Sequence, residues 1–255
     1  MIYTDAVNFK IPNGSGGFNS YPIQDVKNKR TRKNITNNLA NLSAAIAEQN
    51  LRKYGYDIGD YFEAGGYTYT LADLNTFYGG YSSYGVVNIK HITIVVDANT
   101  NVQWNTSNTT ATGYVGSNLH AYLVDTVLPN VKSHIQSLFG DSWENHLIKH
   151  SKLYRTGESK WEWGWSNDQY ISALTSVQLH GSPICNMDGT DTGEGNKPLE
   201  VFQKFFYPEI LGRHDNWLRS VSAAGCPCYA NHDGYASGSI GASDSFGAVG
   251  LIIFK

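Results

Sequence analysis

The sequence predicts an α+β fold, with strands carrying the core and helices flanking them, and three stretches carry that expectation. Leu251 to Phe254 is a short continuous apolar run with β-branched content, the pattern of a central strand covered on both faces. Val87 to Val96 sets Val87, Ile89, His91, Thr93 and Val95 against Asn88, Lys90, Ile92, Ile94 and Val96, so it reads as a strand covered on both sides in its second half. From Ser117 onward, Leu119, Tyr122, Leu123 and Val127 and then Val131, Ile135, Leu138 and Phe139 recur at helical spacing.

The remaining elements follow in chain order. Met1 to Lys33 has no sustained period, with a Gly-rich joint at Asn13 to Gly17 and a basic polar run from Lys27 to Lys33. It reads either as a disordered terminus or as an extended arm anchored by Phe9, Ile11, Phe18, Tyr21 and Ile23. In Asn34 to Tyr54, the residues Ile35, Leu39, Leu42 and Ile46 form an a/d stripe, with Asn34 or Thr36 available as N-cap. A helix laid on its own domain and a short self-associating bundle both satisfy that stripe, which is shorter than three heptads. A turn at Gly55 to Gly59 then marks the boundary between an amphipathic helix over 34–56 and a domain over 57–255.

Within that domain, Tyr61 and Tyr67 to Leu71 have β character, and Asp97 to Thr110 reads as a polar loop anchored by Trp104. Ser117 caps a helix that Pro129 breaks or restarts and Gly140 ends. Trp143 to Tyr154 and Pro198 to Phe206 read as further short helices, the second with Leu199, Phe202 and Phe206 facing inward.

Composition bounds the function. The chain has 255 residues, enough to bury a sizeable core without a disulfide or metal staple. Charged residues are only 16% while aromatics reach 13%, with 17 Tyr, a balance suited to surfaces that meet proteins or sugars. A net charge of −3 gives no electrostatic reason to expect a nucleic-acid partner. Cys185, Cys226 and Cys228 are odd in number and too few for a disulfide framework, which favours assembly in a reducing cytoplasm. Met1 to Asp5 lacks the start of a signal peptide, and no apolar run is long enough to enter a membrane.

A search for reactive chemistry yields little. Phosphate-cradling loops, zinc-protease pairs and nucleophile elbows are missing from the sequence. Glu158 and Glu162 flank Trp161, but a glycosidase pair needs carboxyls converging across a cleft, and turn carboxylates explain them as well. Cys226, Cys228 and His232 have poor zinc spacing, with one residue rather than two or more between the thiols, so neither metal nor cofactor is expected. Trp161, Trp163 and Trp165 alternate, so on a strand they share one face, as packing rings or as a stacking platform.

The last forty residues organise the rest. Trp217, Leu218, Arg219 and Ser220 open the segment, Phe246 and Gly247 begin its closing apolar strand, and between them lies a span rich in small residues, Tyr, Asn, His and Asp. With little aliphatic content, that span reads as a loop-rich excursion held out by strands at its base, of the composition that adaptable binding loops use.

These words, with Ser117-Asn118-Leu119, Tyr122-Leu123 and the stretch Tyr170 to Gly181, resemble an uncharacterised domain common in structural proteins of Firmicutes phages and prophages. That domain is similar to the C-type-lectin-like fold of the formylglycine-generating family and of phage tropism determinants. Val249 and Gly250 stand where the family usually has Arg and Pro.

The resemblance covers roughly Asp57 to Lys255 and implies short twisted antiparallel sheets with flanking helices in a non-enzymatic virion protein. It further implies an N-terminal arm and helix that attach to other virion proteins, with Ile35, Leu39, Leu42 and Ile46 assembling copies as a trimer. Trp217, Leu218, Arg219, Ser220, Phe246 and Gly247 become the scaffold of a displayed loop. Tyr229, Asn231, His232, Asp233 and Tyr235 become the residues offered to a bacterial surface glycan or protein. A purely structural capsid or fibre role and a glycan-degrading activity are the alternatives.

Overall fold

The computed structural model describes residues 8–12, 18–22, 31–78, 81–82, 85–86, 88–155, 163–181, 198–212, 214–223 and 225–255. The chain divides into a unit over Met1–Arg32 and a unit over Lys33–Lys255. In the first, Asn8–Pro12 and Phe18–Pro22 pair antiparallel, with Phe9 opposite Tyr21 and Ile11 opposite Asn19. Two paired strands thus lie in the stretch that reads as a disordered terminus or an extended arm.

The second unit is mixed α+β, a large open sheet with a few helices. The strands of that sheet are β1 (Tyr61–Ala64), β2 (Tyr67–Leu74), β3 (Ile92–Gln103), β4 (Leu147–Ile148), β5 (Ile171–Ala173), β6 (Asn216–Ala223), β7 (Cys226–Ala230), β8 (Ala236–Ser237) and β9 (Ser245–Phe254). They run β8-β7-β6-β9-β3-β2-β1 across the sheet, with β5 and β4 also pairing with β9. Every pairing is antiparallel except β6 with β9, which touch in parallel at Asn216 and Gly247.

The closing apolar run is therefore central, and Gly247 to Phe254 is buried throughout. One edge of β9 pairs with β3 from Ser245 to Phe254, and β6, β5 and β4 share the other edge in succession. Two glycines permit that crowding. A Cβ on Gly247 would collide with the Asn216 side chain, and one on Gly250 would lie 2.8 Å from Ile171 Cγ1.

Strand β1 turns into β2 through Gly65 and Gly66, both at positive φ, as a tight hairpin requires. Strand β3 begins at Ile92, later than the alternation from Val87 implied, and continues through Asp97–Gln103, which the polar composition had marked as loop. Pairing with β2 and β9 overrides the weak β-propensity of Asp, Asn and Gln there. Trp104 at its end is fully buried, and its indole N–H donates to the Leu218 carbonyl at 3.3 Å. His91, beside the start of β3, is a fully buried ring held by backbone groups. Its Nδ1 faces the Ile89 carbonyl at 2.7 Å, and its Nε2 accepts from the Phe77 amide at 3.1 Å.

The stripe over Ile35, Leu39, Leu42 and Ile46 becomes only one short helix, α1 (Leu42–Ala47), followed by a 3-10 turn at Arg52–Tyr54. Ahead of α1, the Asn34 side chain accepts from the Thr36 amide at 2.9 Å, a local turn that competes with the helix. All four apolar residues are buried in the core of their own unit. They cannot also form a self-association face, so their assignment to an oligomer bundle is corrected, and residues 34–56 belong to the main unit.

Helix α2 (Asn118–Tyr122) is capped by Ser117 Oγ, which accepts from the His120 amide at 3.1 Å. A π-helical turn, Leu123–Val127, runs on into α3 (Leu128–Phe139), which ends at Gly140 in the left-handed conformation. The wider turn lets Pro129 enter without stopping the helix, since its missing N–H falls where a helix begins. Leu119, Leu123, Val127, Val131 and Ile135 form the buried face, with contacts to β3, β5 and β9.

Where a helix was expected over Trp143 to Tyr154, a 3-10 turn at Trp143–Asn145 leads into β4 and a strand at His150–Arg155 that pairs with Trp163–Gln169. Three further short helices lie among the described residues. They are α4 (Ser176–His180), capped by a Thr175–Gln178 box, α5 (Glu200–Lys204) and α6 (Tyr207–Leu211).

Replacing Leu42 by Ala should cost about 2–5 kcal/mol in urea unfolding and leave the oligomeric state in light scattering unchanged, because that side chain fills the unit's own core. A change of oligomeric state at full stability would contradict the packing described here.

Candidate functional site

The small-residue span between β6 and β9 is more ordered than its composition implied. It forms β7 and β8, which extend the sheet, and Cys228, Ala230 and Ala242 within it are fully buried. The expectation of a loop-rich excursion is corrected accordingly: small side chains let neighbouring segments approach, which a tally of aliphatic residues does not register. What projects is the hairpin tip, Asn231 to Tyr235.

Asn231 builds that tip. Its side-chain oxygen accepts from the Asp233 amide at 3.1 Å and the Tyr235 amide at 2.8 Å, and its own amide donates to the Tyr235 carbonyl at 2.9 Å. Gly234 closes the turn at positive φ, where a Cβ would stand 2.7 Å from Tyr207 Cβ. His232 ties the tip to the base of β6. Its amide donates to Asp215 Oδ1 at 2.8 Å, its Nδ1 lies 3.1 Å from the same oxygen, and its Nε2 lies 3.6 Å from Asp233 Oδ2.

Beneath the tip, Trp217 is fully buried, and its indole N–H donates to the Val102 carbonyl at 2.7 Å. Its ring packs against Phe246 at 4.5 Å and edge-on to Tyr229 at 6.3 Å between centroids. Leu218 and Arg219 are buried, Ser220 is half-buried, and the Arg219 amide donates to the Leu174 carbonyl at 2.8 Å. Asn216 donates through Nδ2 to Tyr207 Oη at 2.7 Å and so links β6 to α6. The Tyr207 hydroxyl is held well above its ordinary pKa by burial. Desolvation likewise raises the Asp97 carboxyl on β3, although the Asn99 amide donates to it at 2.8 Å and His214 lies in its field.

The five residues expected to meet a ligand divide into two sets. Tyr229 is half-buried between Trp217 and Phe246, and Asn231 spends its side-chain oxygen on the turn. His232, Asp233 and Tyr235 are exposed. Asp233 and Tyr235 line a cleft of about 260 Å³ whose opposite wall is aromatic and comes from α5, α6 and the residues between them. Phe206 and Tyr235 form its rim, each 72% exposed, whereas Phe205 and Tyr207 are buried. Phe206 therefore does not face inward as the helical spacing implied. α5 ends at Lys204, and the chain extends through Phe205 and Phe206 before α6 begins. The run Phe205-Phe206-Tyr207-Pro208 was the available signal, since a proline placed to start a helix turns the preceding rings out of any continuous helix. His180, at the end of α4, completes one side of the cleft, and desolvation lowers its pKa.

Glu158, Trp161, Glu162 and Cys185 fall outside the described residues, and Trp163 and Trp165 lie on the strand Trp163–Gln169, opposite Arg155 and Leu153. Cys228 is disulfide-bonded, which corrects the expectation of ordinary loop thiols, since sequence spacing does not report which sulfurs fold together. Among the described residues, no three His, Cys, Asp or Glu side chains could hold a metal ion, and no helix is long and apolar enough to cross a membrane. Comparisons with family models, curated proteins and solved structures find no match to this chain.

Two predictions follow from the tip and its base. Asn231→Ala should speed amide exchange at Asp233 and Tyr235 and lower stability by about 1–2 kcal/mol, while Asn231→Asp, which keeps the acceptor, should do neither. Because burial raises the folded-state pKa of Asp97 above its unfolded value, its contribution is full below the ordinary 3.8 and is lost as pH rises through the folded pKa. Asp97→Asn, still able to accept from Asn99, should remove that fall and be the more stable form at neutral pH in urea titrations.

Proposed function

We propose that this chain is a non-enzymatic bacteriophage virion protein whose C-terminal domain, of C-type-lectin-like type, presents a binding cleft to the host surface. One observation carries the reading. Tyr235 on a braced hairpin tip and Phe206 on the facing segment stand as two exposed rings on either side of a small concave site. Exposed aromatics around a concavity are a common feature of recognition surfaces. The tip is held by six short-range hydrogen bonds or polar contacts to Asn231 and Asp215. Such a tip loses little conformational freedom when it binds, so a modest contact area still yields useful affinity. Several copies on one particle would multiply that affinity through avidity.

The fold-level part of the reading rests on likeness. The word Trp217 to Ser220 lies beside the closing strand and flanks the displayed segment, the arrangement that the resemblance implies. The remaining unit over Met1–Arg32 is assigned to contacts with other virion proteins, and trimer assembly is assigned to surfaces other than the buried stripe over Ile35 to Ile46.

The test is adsorption to host cells. Phe206→Ala and Tyr235→Ala together should weaken binding of the protein or particle at least about tenfold with the melting temperature unchanged, as expected of exposed aromatic anchors. Normal adsorption combined with failed particle assembly would instead assign these rings to packing between subunits.

A further inference from the structure

We propose that His134 is an acid-released clasp, holding the β1–β2 hairpin, and with it the chain that enters at Lys33, against helix α3. The hairpin forms the edge of the sheet remote from the Asn231 to Tyr235 tip, and the clasp is independent of the attachment reading.

Tyr67 and Tyr69 alternate along β2, so they share one face of the strand. Both reach α3. Asn130 Nδ2 donates to Tyr67 Oη at 3.0 Å, and Tyr69 Oη lies 2.7 Å from His134 Nδ1. The two tyrosine rings stand edge-on to the imidazole, with centroids 5.3 and 6.2 Å away. The hairpin turn closes on the same ring, since a Cβ on Gly65 would overlap His134 Nε2. Tyr69 is also stacked on Phe62, its partner on β1, at 4.7 Å, so both strands depend on this contact.

One proton sets the direction of the central bond. Tyr69 is fully buried, and burial holds its hydroxyl far above the ordinary pKa, so it stays a phenol. Oη–H therefore donates, Nδ1 accepts, and the imidazole hydrogen sits on Nε2. A second proton on Nδ1 would set two donors face to face. The buried hydroxyl would then lose its acceptor, and opening the contact to water is the way to satisfy both groups.

The charged side chains on the elements that meet here are engaged elsewhere. Lys132 of α3 lies over the Trp143 ring at 4.0 Å, and Glu63 of β1 accepts from Asn34 at 3.0 Å. Asp73 is buried towards the other end of β2, and Asp97 of β3 pairs opposite Thr68, on the face away from Tyr67 and Tyr69. On α5, which also packs on β2, Glu200 and Lys204 pair with each other at 2.5 Å. Desolvation lowers the His134 pKa. The clasp is thus at full strength above the ordinary 6.5 and is lost as pH falls through the folded value.

Release would reach the outer side of β1, which carries the incoming chain. The Ile35 amide donates to the Tyr61 carbonyl at 2.7 Å, the Tyr61 amide to the Lys33 carbonyl at 3.0 Å and the Glu63 amide to Thr36 Oγ1 at 2.9 Å. Residues 33–36 follow directly on the unit over Met1–Arg32, so acid would loosen the anchoring of the link between the two units.

Amide exchange of the full chain, followed by NMR and corrected for intrinsic rates, tests the clasp. Protection at Ile35, Tyr61 and Glu63 should fall about tenfold or more between about pH 7.5 and pH 5, while protection along β9 stays level. His134→Gln keeps an acceptor and cannot titrate, so its protection should not change over that range. Tyr69→Phe removes the opposed donor, so it should abolish the pH dependence and raise the pH at which the His134 ring titrates. In the unmodified chain the loss of protection should track the His134 ring resonances, a coincidence that decides the matter even where a variant fails to fold. Level protection at the three amides, an equal fall in His134→Gln or Tyr69→Phe, or a loss spread over β9 as well would overturn the proposal. So would midpoints for the ring and the amides more than about one pH unit apart.

Discussion

Strand β9 must be paired along both edges at once, and the rest of the main unit is arranged to meet that demand. β3 occupies one edge from Ser245 to Phe254, while β6, β5 and β4 take successive portions of the other. A buried strand with unpaired amides would be costly, so segments distant in sequence are drawn to the same edge. The long helical segment covers this arrangement through its contacts to β3, β5 and β9. Gly247 and Gly250 are the local concession, since side chains there would push Asn216 and Ile171 out of place.

The displayed tip inherits its rigidity from that arrangement. β6 is held against β9, so Asp215 at its base is placed to accept from His232, and Asn216 to reach Tyr207. Trp217, Tyr229 and Phe246 form the aromatic layer beneath, and each ring that packs there is withdrawn from the surface. The hairpin therefore behaves as a fixed bracket rather than an adaptable loop. Across the cleft from this bracket stands a second wall, which α5, α6 and the two Phe residues between them provide.

That second wall explains why the candidate site was only half legible. Asp233 and Tyr235 could be chosen from composition, because exposed Asp and Tyr in a segment rich in Gly, Ser and Asn are ordinary features of a projecting turn. Phe206 could not. Read at helical spacing it belongs with Leu199 and Phe202 on an inward face, and only the break between α5 and α6 turns it to solvent. Tyr229 and Asn231 show the opposite error. Their side chains suit a binding surface, yet one is taken up by packing and the other by the turn's own amides.

By itself the sequence determined which stretches are apolar, where turns and caps fall, and that the closing run would be buried on both faces, because those properties depend on neighbours a few residues apart. Ser117, Gly140 and the strand Ser245–Phe254 behave as their local patterns dictate. Only the tertiary structure decided what the apolar stripes pack against and whether polar segments pair. Ile35, Leu39, Leu42 and Ile46 have one pattern whether they bury against their own unit or another copy, and Asp97–Gln103 becomes strand only because β2 and β9 lie beside it. Partner choice is settled by competition among contacts far apart in the chain, and no local period records its outcome.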